Sequence, residues 1–122
     1  MKIQTNIFSE YLAKKNMKLI NNHYYVLIPS KSCINCVKSA IEKIIKVSHS
    51  KHLKNITFVT SNNFVIHDFS IEDFIYDDDR VLDYLNLDLG NLNILFIENN
   101  SIVLNHEISL NNIESIDKIL KN

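Results

Sequence analysis

Apolar positions along this chain follow two periods, and each period predicts its own element. His23 to Pro29 (His-Tyr-Tyr-Val-Leu-Ile-Pro) is a nearly continuous apolar, β-rich run, the pattern of a central strand covered on both faces. Pro29 ends it. Further on, Val37, Ala40, Ile41, Ile44 and Ile45 recur at i, i+3, i+4, i+7 and i+8, while Lys38, Ser39, Glu42, Lys43 and Lys46 fall between them. That spacing predicts an amphipathic helix running continuously to Val47. Asn55 to Thr60 reads as a second strand, closed by Ser61-Asn62-Asn63, and Leu92 to Ile97 and Ile102 to Leu104 as a third and fourth. Between those two, Glu98-Asn99-Asn100-Ser101 predicts a tight antiparallel hairpin, because asparagine tolerates positive φ.

Weaker patterns fill the intervals. Ile3 and Thr5 predict a short opening strand, and Ile7, Phe8, Tyr11 and Leu12 one face of a helix from Asn6. Phe64 to Ile66 extends the second strand or starts a loop. Ser70-Ile71-Glu72-Asp73 resembles a capping box with a short helix behind it. Asp77-Asp78-Asp79 reads as the solvated start of helical turns carrying Val81, Leu82 and Leu85. Asn111 with Glu114 caps a final helix, whose Ile113, Ile116 and Leu120 face the core. The order β-α-β-α-β-(α)-β-β-α predicts one α/β domain over residues 1–122, with a mixed sheet and helices on both faces.

A chain of 122 residues with 46% hydrophobic and 22% charged types buries a core without staples and is not disordered. Nineteen Ile, 17 Asn and 12 Lys, with one Gly and one Pro, point to an AT-rich coding bias, so the asparagines are no prion-like signal. One glycine leaves no loop to cradle a phosphate. Net charge is −1, which gives no field to draw nucleic acid or anionic lipid. The Lys43, Lys46, Lys51 and Lys54 strip reads as a solvated face. Tyr24 to Ile28 is among the longest apolar runs at five residues, far below the roughly 20 of a membrane span. Met1 to Asn6 leads into an amphipathic stretch, not an apolar leader core, although a chain already freed of its leader or lipid anchor would begin the same way.

The two cysteines stand together as Cys33-Ile34-Asn35-Cys36, a spacing that suits a redox dithiol or half a zinc site. Cys33, Cys36, His49 and His52 do spell C-x2-C-x12-H-x2-H. One continuous helix between Cys36 and His49, however, holds them about 18–20 Å apart at 1.5 Å per residue, too far for one ion. His23, His67 and His106 lie beside no feature that would bring them to Cys33. A thiol exchange reaction needs an exposed thiolate and a second thiol near enough to resolve the mixed disulfide. Cys33 at a helix start, flanked by Lys31 and Lys38 with no acid between them in the sequence, has the setting that lowers a thiol pKa. Cys36, one turn inside, is expected to be the more buried, resolving thiol.

Tyr24-Tyr25-Val26-Leu27-Ile28-Pro29 followed by Cys33-Ile34-Asn35-Cys36, with a closing hairpin and C-terminal helix, resembles the thioredoxin-like superfamily. In element order the resemblance covers nearly the whole chain. It implies the thioredoxin-like fold and a thiol–disulfide oxidoreductase with Cys33 attacking and Cys36 resolving. No organic cofactor and no metal is implied; the partner is a protein disulfide or dithiol, and the chain is expected to be a monomer. Ser32, Ile34, Asn35 and Leu92 would face the substrate. The chain departs from the family in three places. Ser32 and Ile34-Asn35 replace the residues of Trp-Cys-Gly-Pro-Cys, Leu27 stands at the family's buried carboxylate, and Leu92 aligns with its cis-proline. Those departures favour a second reading, a redox-silent thioredoxin-fold binding module with a structural disulfide, whereas the retained C-x-x-C favours the enzyme.

Overall fold

A computed structural model of the chain describes residues 2–121. The elements are α1 (Lys2–Ala13), β1 (His23–Ile28), α2 (Ile34–Ser50), β2 (Ile56–Thr60), α3 (Asn63–Asp68) and β3 (Phe74–Tyr76). A 3₁₀ stretch (Asp78–Tyr84) leads to β4 (Asn93–Glu98) and β5 (Ser101–Glu107), then a 3₁₀ turn (Ile113–Ser115) and α4 (Ile116–Ile119). The five strands form one mixed sheet in the order β3-β2-β1-β4-β5. β1 pairs parallel with β2 from Tyr24↔Ile56 to Ile28↔Thr60, and antiparallel with β4 from His23↔Ile97 to Leu27↔Asn93.

The continuous apolar run of β1 has a direct cause in this topology. All six of its residues are buried, and successive side chains enter opposite layers. Tyr24, Val26 and Ile28 pack with Val37, Ala40, Ile41, Ile44 and Val47 of α2 and with Ile116 and Leu120. Tyr25 and Leu27 pack on the other face with Phe8, Tyr11 and Leu12 of α1, together with Val59, Leu95 and Ile97. The expected α/β architecture with a mixed sheet and helices on both faces is present. So are the expected strands β1, β2, β4 and β5, the α2 stripe and the hairpin. Asn99 and Asn100 have φ of 52° and 59°, the two left-handed residues that a two-residue hairpin turn requires.

Four local expectations are corrected. Ile3 and Thr5 lie in α1, not in a strand: Thr5, Phe8 and Leu12 form one buried stripe at i, i+3 and i+7, and Thr5 Oγ1 accepts the Ile102 N–H of β5 at 2.9 Å. Phe64 to Ile66 are helical, because the Asn62 side chain accepts the Val65 N–H at 3.0 Å and starts α3. No helix follows Ser70-Glu72. Ser70 turns at φ 51°, and the chain returns as β3, with Ile75 buried and Asp73 O accepting the Phe58 N–H at 3.0 Å. At the final helix, Asn112 does the pinning rather than Asn111, its Oδ1 accepting the Ser109 N–H at 2.7 Å.

The acidic triplet is solvated only in part. Asp78 and Asp79 are exposed, but Asp77 is fully buried. Its Oδ1 accepts the Tyr11 hydroxyl at 2.7 Å and its Oδ2 the Leu82 N–H at 3.0 Å. The 3₁₀ stretch bends around this carboxylate through left-handed Asp79 and Arg80, at φ 60° and 54°. Burial and the neighbouring Asp77 carboxylate push the Tyr11 phenol far above an ordinary tyrosine. Among the described residues no helix is long and apolar enough to cross a membrane.

Candidate functional site

β1 delivers the chain to Pro29, where the Ser32 N–H donates to Pro29 O at 3.1 Å and closes a turn. Cys33 then takes the capping position of α2 with an extended backbone, φ −73° and ψ 110°. Its carbonyl accepts the N–H groups of Cys36 and Val37 at 3.0 and 3.2 Å. No side chain caps this end and its first turn holds no acid. The unpaired amides and the helix dipole therefore favour negative charge at Cys33. Lys31 and Lys38, both exposed, add positive charge, with Lys31 Nζ reaching Asp83 O at 3.4 Å.

The Cys33 and Cys36 sulfurs are at bonding distance and their Cα atoms are 5.1 Å apart, inside the disulfide range. Both residues are exposed, Cys36 included, although it follows Cys33 into the helix. The cause is rotational: Cys36 sits about 100° around the helix from Val37, and Val37 opens the buried stripe.

The residues expected to face substrate divide. Asn35 is exposed, whereas Ile34 is half-buried against the α2-side core. Ser32 is buried, its Oγ donating to Asn91 O at 2.6 Å. Leu92 presents no side chain to solvent either: it is fully buried with Ile28, Val37 and Ile94. Alternation explains the miss, since Leu92 shares its face with Ile94 and points into the core. Its neighbour Asn91 is the residue turned to the cysteines, with Oδ1 accepting the Cys33 N–H at 3.1 Å. Leu27, at the family's acid position, packs in the α1-side core.

Asn91 and Asp83 are the two residues that sequence reasoning missed. Asp83 accepts the Ser30 N–H at 2.8 Å and the Ser30 hydroxyl at 2.5 Å. Both reach the loop across more than 50 residues of chain, and no spacing advertises such a contact. The local signal is small: Asn91 is polar immediately before an apolar strand. His23 is buried and within 2.7 Å of Thr57 Oγ1; burial lowers its pKa. His49 lies in the last turn of α2, and no group of three or more His, Cys, Asp or Glu among the described residues is placed to hold a metal. Comparison of the chain with family models, curated proteins and solved structures gives no match.

Proposed function

We propose that the protein is a thioredoxin-like thiol–disulfide oxidoreductase that works through Cys33 and Cys36. The observation that carries this reading is the placement of an exposed, bonded cysteine pair at the open N-terminus of α2, directly after the central strand. The closing β4–β5 hairpin and the terminal α4 support the thioredoxin-like fold within the α/β architecture. In the reducing direction the Cys33 thiolate attacks one sulfur of a protein disulfide. A Cys33–substrate bond forms, and the departing substrate thiolate takes a proton from water. Cys36, its proton released to water, then attacks the Cys33 sulfur. The Cys33–Cys36 bond closes and the second substrate thiolate leaves. Two electrons pass to the substrate, and a dithiol partner returns them to the protein. The same steps in reverse oxidise a dithiol.

Cys33 of the reduced protein is expected to react with iodoacetamide with an apparent pKa below about 8, and Cys36 more slowly. Cys36→Ser is expected to trap mixed disulfides on Cys33, and Cys33→Ser to trap none. Equal, slow alkylation of both thiols, with no trapped species, would remove the enzymatic reading.

The apolar Leu27, where the family places a carboxylate, favours the binding module with a structural disulfide. Loop size separates the two. A bridge across three positions removes little chain entropy, about 2 kcal/mol in the loop-closure relation. The Cys33→Ser/Cys36→Ser protein is therefore expected to fold and to lose no more than about 2 kcal/mol in urea unfolding. A loss well above that would make the bridge a staple and support the second reading.

A further inference from the structure

We infer that Asn91 positions Cys33 for reaction, holding its backbone in the extended capping conformation at the N-terminus of α2. The inference rests on the proposed exchange activity and adds to it a residue on a separate segment. Asn91 uses two oxygens on two consecutive residues of the cysteine loop. Its side-chain Oδ1 accepts the Cys33 N–H at 3.1 Å, and its main-chain oxygen accepts the Ser32 hydroxyl at 2.6 Å.

Those bonds fix the one backbone unit on which the thiolate depends. A capping residue meets the amides of its helix only while its backbone is extended, as Cys33 is at φ −73° and ψ 110°. Its own N–H points away from the helix and requires an acceptor, which Asn91 supplies. Reduction breaks the bridge to Cys36 and with it the covalent restraint on the loop. In the dithiol form the Asn91 bonds remain to keep Cys33 at the positive end of the α2 dipole, with Asp83 steadying Ser30 three residues earlier. Asn91 is anchored in turn, because the next residue, Leu92, is fully buried and accepts the Ile108 N–H at 2.9 Å.

The test is the alkylation pKa of Cys33 and the reduction potential of the pair in Asn91→Ala and Asn91→Asp. Asn91→Ala removes the side-chain acceptor. It is expected to raise the Cys33 pKa by about half a unit or more, which is about threefold slower alkylation well below that pKa. With the thiolate less stabilised, the reduced form loses ground and the potential moves negative. Asn91→Asp keeps an acceptor for the Cys33 N–H but sets a negative charge beside the thiolate. It is expected to preserve the thermal midpoint of the oxidised protein while still raising the pKa. A purely structural role predicts a lowered thermal midpoint in Asn91→Ala with the Cys33 pKa unchanged.

If Cys33 is acidic in the wild type and stays so in both variants, Asn91 does not position it and the inference fails while the proposed function stands. If Cys33 of the wild type has an ordinary thiol pKa, the proposed function fails first. Asn91 is exposed, so both variants are expected to fold.

Discussion

Replacing Ile44 by alanine is expected to destabilise the protein by about 2–5 kcal/mol, and Ile41→Ala by a similar amount. Both side chains are fully buried on the α2 stripe, against Val26 and Ile28 of the central strand and among Leu92, Ile94 and Ile116. Each truncation removes three carbons from a close-packed layer between helix and sheet. The lost transfer free energy is joined by the cost of a cavity that rigid strands cannot collapse into. Urea unfolding followed by far-ultraviolet circular dichroism measures the difference. A cost below about 1 kcal/mol at both positions would mean that this stripe does not face the sheet and that the α2 layer is wrongly assigned.

Tyr11→Phe is expected to cost about 1.5–3 kcal/mol at neutral pH, although it deletes one oxygen and almost no volume. The Asp77 carboxylate is fully buried with two donors, the Tyr11 hydroxyl and the Leu82 N–H. Removing the phenol leaves one carboxylate oxygen without its donor. The same pair predicts a pH dependence. Tyr11 holds its proton far above the ordinary tyrosine pKa of 10.0 through burial and the adjacent carboxylate; burial also raises Tyr25. A raised folded pKa means that the native state keeps a proton which the unfolded chain releases. Stability from these groups is whole below about pH 10 and falls as pH rises beyond it. Tyr11 alone contributes a slope of about 1.4 kcal/mol per pH unit. The Tyr11→Phe protein should lose this share of the alkaline slope and keep that of Tyr25. Parallel curves for the two proteins between pH 10 and 12 would show that Tyr11 does not keep its proton in the native state.

What could be read from the chain tracks how local its cause is. The α2 stripe and the β1 run are strong because one face, or both, must be buried, and periodicity alone reports that. The hairpin was equally open to reading, since Asn99 and Asn100 carry their own tolerance of left-handed backbone. α1 was missed at its start because Ile3 and Thr5 look β-branched in isolation. The helix there is held by Thr5 meeting Ile102 of a strand 97 residues away. Asp77 read as solvent-facing for the same reason: its partner Tyr11 is 66 residues back. At the candidate site the cysteines announced themselves by spacing. Asn91 and Asp83 carry no such mark, and Leu92, at the family's cis-proline position, is one residue from the group that touches Cys33.

The sheet also works as a partition. The two apolar clusters share no residue among those described, so each layer can drift in sequence while its counterpart stays as it is. Losses from one substitution in each layer should simply add. The cysteines hang from the α2 layer alone. Leu82, however, is packed in the α1 layer, and its neighbour Asp83 reaches over to Ser30. Mutational wear on the α1 side would therefore lower the melting point of the molecule long before it altered the chemistry of the thiols. The exception is wear that loosens this strap.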